Sequence, residues 1–176
     1  GKAGNVARGA AALGGRARLA GFCGLHETEG LTAWYKTQGV QADLVPVPGH
    51  MRPCLVINER GRRRETVINS PARVEPIPKA ARTLAARLRK GIRPGDLVVF
   101  SGTLPLALPA GYFSSLIRLA QARRAVALFD SSGPGLKDGL KAKPYVVKPN
   151  REELEEYCGR RLRGEAALRK AMEAVK

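Results

Sequence analysis

The chain has 176 residues, 44% apolar and 26% charged, and its 31 Lys and Arg against 15 Asp and Glu give a formal net charge of +16. That is apolar residue enough for one core of ordinary size, while no run approaches the ~18 to 20 apolar residues that cross a bilayer and no basic stretch leads into an apolar signal core. Neither a membrane span nor a retained secretory signal is expected.

The elements alternate from the start. Asn5 reads as the N-cap of a helix over Val6 to Leu13, closed by Gly14 and Gly15. Ala17 to Cys23 reads as a buried strand, Glu27 to Gln38 as a helix stopped by Gly39, and Asp43 to Val47 as a second strand. CLVINER and RRRETVIN flank Gly61 and predict a hairpin standing out from the main sheet. Ile77, Ala81, Leu84 and Leu88 recur at helical spacing before Gly91, and DLVVFS (Asp96 to Ser101) is a nearly continuous apolar strand. Pro109 opens a helix with Tyr112, Phe113, Leu116, Ile117 and Ala120 on one face. AVALFD (Ala125 to Asp130) is the next strand, SSGPG a turn, and Tyr145 to Lys148 a further strand before a helix capped by Asn150. Strand and helix periods in alternation predict one α/β domain built on a right-handed parallel sheet, with ligands at the C-terminal strand ends.

The charge does not by itself define a partner. Its one dense basic cluster, Arg60, Arg62, Arg63 and Arg64, sits on the hairpin turn, and the other cations are scattered over the helices. Aromatic residues total 5% and do not interleave with basic ones as in base-stacking surfaces. A solvated basic surface is therefore expected rather than a nucleic-acid module. Cys23, Cys54 and Cys158 are widely spaced and odd in number, which suits packing roles in a reducing, cytoplasmic compartment. His26 and His50 are each isolated in sequence beside glycine turns and are expected at the surface without a catalytic role, and Trp34 and Tyr35 are expected in the core.

Four segments can carry chemistry. GKAGNVA sets a glycine-rich turn and Lys2 before a helix N-terminus, where backbone donors and a cation can hold an anion or sugar hydroxyls. SGTLP puts the Ser101 hydroxyl and a glycine at a strand end, and Asp130 closes the next strand. In VVKPNREELEEY, Lys148 leaves a strand and Asn150 with Glu153 has the spacing of a capping box; the same two side chains can instead turn oxygens toward hydrated Mg²⁺ beside nucleotide phosphates.

In this order, GKAGNVARGAAALGG with Gly24, MRPCLVINERGRRRETVIN, VVFSGTLPLALP, LFDSSGPGL and AKPYVVKPNREELEEY resemble the ribokinase-like carbohydrate kinases, and among them the phosphofructokinase B branch, over essentially the whole chain. The resemblance implies a ribokinase-like parallel sheet flanked by helices, with a small β-hairpin lid at about residues 52–70 of a single partial domain spanning 1–176. It implies ATP and Mg²⁺ as cofactors and a phosphorylated ketohexose as substrate: fructose 1-phosphate, tagatose 6-phosphate or fructose 6-phosphate. Gly1, Lys2, Asn5, Arg52 and Ser101 carry over as substrate-binding residues, Lys148, Asn150 and Glu153 as nucleotide-binding residues, and Asn150 and Glu153 as the metal side. A homodimer through the lid is a further implication. Ala3 stands where the family motif has glycine, and the GAGD segment that bears the family's catalytic base is not among these 176 residues. The start at Gly1 without Met and the end at Lys176 inside a helical pattern suggest a piece of a longer protein. An isolated chain of this length is expected to bind ligands without turnover; a truncated non-catalytic relative and a basic nucleic-acid module are the alternative readings.

Overall fold

The computed structural model describes residues 2–51, 53–59, 61, 64–70, 73–75, 77–105 and 107–175, with the side chain of Asn69 set aside. Gly1, Arg52, Arg60, Arg62 and Arg63, named above from the sequence, lie outside the described residues. Among the described residues seven strands and seven helices follow in the order α1 (Lys2–Ala12), β1 (Ala17–Gly24), α2 (Thr28–Thr37), β2 (Val40–Val47), β3 (Cys54–Asn58), β4 (Glu65–Asn69), α3 (Pro78–Gly91), β5 (Leu97–Ser101), α4 (Tyr112–Ala122), β6 (Val126–Asp130), α5 (Gly133–Leu140), β7 (Val146–Val147), α6 (Arg151–Cys158) and α7 (Gly164–Glu173).

The parallel strands fall into two groups among the described residues, β1 with β2 and β5-β6-β7 in that order. Side chains link them: Phe22 of β1 packs into both the core under β5 and β6 and the core between β2 and α3. The largest core gathers Phe100, Ala127 and Phe129 from the strands, Phe113, Leu116, Ile117 and Ala120 from α4, and Leu136 from α5. The five positions expected on one face of α4 are all buried. Phe129 is 1% exposed and meets Phe113 edge-on at 5.2 Å between ring centres. A Cβ at Gly139 would collide with the Phe129 ring, so α5 approaches β6 this closely only because residue 139 is glycine.

That helix was not visible as one in the sequence. SSGPG, expected as a turn alone, leads straight into α5 with a proline in its first turn, as proline's fixed φ allows at a helix start. α5 also secures its neighbour. Asp138 Oδ2 accepts from the backbone N–H groups of Phe113 and Ser114 at 3.0 and 3.3 Å, and its Oδ1 accepts from the Ser114 hydroxyl at 3.0 Å. A carboxylate from one helix thus satisfies free donors at the positive end of another.

α1 begins at Lys2, so Asn5 is an exposed residue inside the helix and not its N-cap. The Ala-rich segment continues the helix backward, and tertiary packing fixes it there: Gly4 and Ala7 are buried, and a Cβ at Gly4 would strike the Tyr35 hydroxyl. Tyr35 is in the core as expected. Trp34 is not; it is 42% exposed with the Arg8 guanidinium 5.1 Å from its ring centre. Cys23 is buried, Cys158 half-buried and Cys54 exposed on β3, and the three thiols are free. The expectation of a packing role therefore fails for Cys54.

β3 and β4 form the antiparallel hairpin as a sheet of their own, with Leu55 opposite Ile68 and Val56 opposite Val67. Leu55, Val56, Ile57, Val67 and Ile68 are all exposed, and none joins a buried cluster. No helix among the described residues is long and apolar enough to cross a membrane.

The Tyr112 hydroxyl donates to the Ala81 carbonyl at 2.9 Å, joining α4 to α3, and burial pushes its pKa up to about 12. An unfolded tyrosine ionises near ~10. Between those values the unfolded chain binds fewer protons than the folded one, so stability falls as pH rises through this window, by up to roughly 2 to 3 kcal/mol. Urea midpoints measured from pH 9 to 12 are expected to show this loss, and Tyr112→Phe is expected to remove the Tyr112 share of it.

Candidate functional site

The ends of three parallel strands and two helix starts meet at one place. Register sets Ser101 at the end of β5 directly beside Asp130 at the end of β6, and the Ser101 hydroxyl donates to Asp130 Oδ2 at 3.2 Å. The Lys148 amide donates to the Phe129 carbonyl at 3.0 Å, extending the β6–β7 pairing by one step and carrying Lys148 alongside Asp130. Its Nζ lies 3.4 Å from Asp130 Oδ1. Gly102, at φ +105, turns the chain off β5, and its amide donates to the Asp130 carbonyl. That backbone conformation suits glycine alone.

Asn150 caps α6. Its Oδ1 accepts from the Glu153 amide at 2.8 Å, and Glu153 Oε2 accepts from the Asn150 amide at 2.9 Å, a complete capping box. The structural role foreseen for this pair is thus present, and it does not exhaust Glu153. The side chain is 9% exposed, and its Oε1 faces Lys2 Nζ at 3.6 Å; the same ammonium lies 4.0 Å from Asp130 Oδ1. A lysine at the first turn of α1 therefore joins the start of α6 to the strand ends, a link the sequence did not show.

The balance of burial in this cluster is uneven. Lys2 and Lys148 are 54% and 72% exposed, whereas Asp130 is 15% exposed and its Oδ1 is buried without a hydrogen bond. Ion pairs to exposed lysines contribute little to stability, about 0 to 1 kcal/mol each. They bring two ammonium groups to one point, an arrangement able to bind phosphate oxygens.

Of the residues foreseen from the sequence, Lys2, Ser101, Lys148, Asn150 and Glu153 come together around Asp130. Asn5 is exposed one helical turn from Lys2, and Gly1 and Arg52 lie outside the described residues. A second grouping is made by other residues. His26 and His50, isolated in sequence, have ring centres 5.9 Å apart, and His50 Nδ1 is 2.9 Å from Glu27 Oε1. Being the two histidines of the whole chain, both at glycine turns that end parallel strands, was the one sign of this in the sequence.

No three His, Cys, Asp or Glu side chains among the described residues are arranged to cage a metal ion. The cluster fits a magnesium ion held through its own water: such an ion takes one or two carboxylates beside phosphate oxygens, and the unbonded Oδ1 of Asp130 and the Glu153 carboxylate face the same space near Lys2.

Strand-end carboxylates and paired ammonium groups thus sit together on an α/β scaffold. The chain matches the pfkB family carbohydrate kinase model over residues 1–176 and belongs to that family. It is 30% identical over 162 residues to the 1-phosphofructokinase of Vibrio cholerae, covering 92% of this chain and 50% of that one. Identity to the tagatose-6-phosphate kinase of Staphylococcus epidermidis is 29% over 158 residues, covering 89% of this chain and 50% of that enzyme. Among solved structures, phosphofructokinase-2 of Escherichia coli in complex with potassium superposes with a TM-score of 0.85 at 28% identity, over 97% of this chain and 55% of that one. The same enzyme in complex with fructose-6-phosphate gives a TM-score of 0.82 at 26% identity, over 97% and 56%. The fold is ribokinase-like, and the chain spans about half the length of the curated relatives it matches.

Proposed function

We propose that this chain supplies the sugar-phosphate and nucleotide-phosphate contacts of an ATP-dependent kinase whose substrate is a phosphorylated ketohexose. The observation that carries this reading is the convergence of Lys2, Asp130, Lys148 and Glu153 on one point at the strand ends. Relatives named for fructose 1-phosphate and tagatose 6-phosphate chemistry, and one solved with fructose-6-phosphate, support the substrate class.

In this reading the γ-phosphoryl group passes from ATP to a sugar hydroxyl: a P–O bond forms to the sugar, the bond to the ADP oxygen breaks, and the hydroxyl proton goes to a base. Positioning and charge neutralisation do most of the work in such transfers. Lys148 and Lys2 would bind phosphate oxygens, Ser101 would orient Asp130, and the capping box would fix Asn150 and Glu153 at the nucleotide side. Magnesium would be held on the side of Asn150 and Glu153, with Asp130 in place of Asn150 as the second oxygen donor because the Asn150 Oδ1 accepts from the Glu153 amide, and would neutralise phosphate charge. Asp130 is already engaged by Ser101 and two ammonium groups and is not assigned as the base. Arg52 and Asn5 belong to the proposed sugar side, and the apolar hairpin face of Leu55, Ile57 and Ile68 is the surface through which a second copy would pair.

The test is thermal unfolding of the 176-residue chain with each of the three sugar phosphates, with fructose, with ATP and Mg²⁺, and with a polynucleotide, alongside ADP release. Stabilisation by at least one sugar phosphate and by magnesium ATP, none by fructose and no turnover is the expected pattern. Stabilisation by polynucleotide alone, falling steeply with salt, would overturn the reading in favour of a basic nucleic-acid module.

A further inference from the structure

Glu27 lies in the turn after β1 and His50 in the connection leaving β2, and one hydrogen bond ties the two turns together. The His50 hydrogen bond, above all, holds the Glu27 carboxyl below the usual carboxylate range. An ionised carboxylate only accepts, so His50 Nδ1 carries the proton and donates. The other oxygen, Oε2, is buried without a hydrogen bond, in space left by Gly24, where a Cβ would collide with it. Gly49, at φ +93, is packed so that a Cβ would strike the Arg73 carbonyl. The Glu75 amide donates to the Pro48 carbonyl at 3.0 Å and the Ser70 amide to the Pro53 carbonyl at 3.3 Å. The first of these bonds ties the chain returning from the hairpin to the connection that leaves β2, where His50 meets Glu27, and the second joins the two legs of the hairpin to each other.

The hairpin needs such an anchor. A lone two-stranded hairpin is marginal in water, and the exposed apolar side chains of β3 and β4 join none of the buried clusters. Its attitude toward the rest of the domain is set at its roots. We propose that Glu27 and His50, with His26 stacked on the imidazole, are a positioning pair that fixes the connection from β2 into the β3–β4 hairpin, the hairpin being the lid of the sugar-phosphate reading. The inference rests on the sugar-phosphate reading given above. It predicts that loss of the pair weakens the sugar ligand and spares the nucleotide, whose proposed contacts come from Lys2, β6, the end of β7 and α6.

The experiment titrates fructose 1-phosphate, tagatose 6-phosphate, fructose 6-phosphate and magnesium ATP into the full chain and into Glu27→Ala, His50→Ala and His50→Asn, and follows hydrogen exchange at the Ser70 and Glu75 amides. Asparagine can place an amide donor close to where imidazole Nδ1 stood. Expected are a 5-fold or greater loss of sugar-phosphate affinity in both alanine variants, on the order of one lost hydrogen bond, with magnesium ATP affinity within 2-fold, faster exchange at both amides, and recovery in His50→Asn. Unchanged sugar-phosphate affinity, or equal loss of both ligands, would overturn the positioning role. If the wild-type chain binds none of the three sugar phosphates, the sugar-phosphate reading fails; exchange at Ser70 and Glu75 then decides the anchor separately, and unchanged exchange overturns it.

Discussion

Phe129→Ala is expected to destabilise the domain by about 3 to 5 kcal/mol, the range for removing a fully buried aromatic side chain. The ring is 1% exposed, on the strand that pairs with neighbours on both sides. It fills the space against Gly139 and meets Phe113 edge-on, so its loss opens a cavity that α4 and α5 would have to collapse into together. Domains of this size hold roughly 5 to 15 kcal/mol in all, so the change removes a large part of the total. Urea unfolding should show a lowered midpoint with little change in slope. Asp130 follows Phe129 directly, and ligand affinity is expected to fall with stability. Gly139→Val is expected to fail from the opposite side, by forcing α5 off the same ring.

The alternation of apolar strands with amphipathic helices made the α/β class and most elements legible, because parallel strands buried on both sides leave near-continuous apolar runs. DLVVFS and AVALFD are such runs in sequence, and each ends within a residue of its expected end, although Leu97 and Val99 of the first are exposed. The capping box was legible because its two residues are local in sequence and its chemistry needs nothing else. What was not legible depended on partners distant in the chain. Asn5 has the intrinsic preference of an N-cap, yet packing of Gly4 against Tyr35 carries the helix past it. Gly133, Pro134 and Gly135 read as turn residues, whereas Gly133 opens α5, and Gly139 further along the same helix admits the Phe129 ring. Lys2 looked like part of a glycine turn holding sugar hydroxyls, and its approach to Glu153 spans most of the chain. The contact between His26 and His50 likewise needs two strand ends to be neighbours, which local periodicity does not encode.

The second large effect concerns Glu153. Glutamine at this position keeps an oxygen able to accept from the Asn150 amide, so the capping box survives, while the charge beside Lys2 and the metal side is lost. Glu153→Gln is therefore expected to lower magnesium ATP affinity about 10- to 100-fold, the scale seen when groups that support a metal are removed, with a small change in thermal stability. Glu153→Ala removes the cap as well and is expected to cost about 1 kcal/mol in addition. The two variants, compared by calorimetric titration and thermal unfolding, separate the charge from the cap. Equal affinity in wild type and Glu153→Gln would restrict Glu153 to helix capping.

The most direct test of the account is calorimetric titration of magnesium ATP into the wild-type chain and into a variant with both Lys2→Met and Lys148→Met, which leaves Asp130 and Glu153 in place. The account predicts saturable binding to the wild type that depends on Mg²⁺ and is lost or weakened at least tenfold in the double variant, with the fold intact by circular dichroism. Absence of binding to the wild type, or the same affinity in both proteins, would contradict the assignment of these strand ends as a phosphate site.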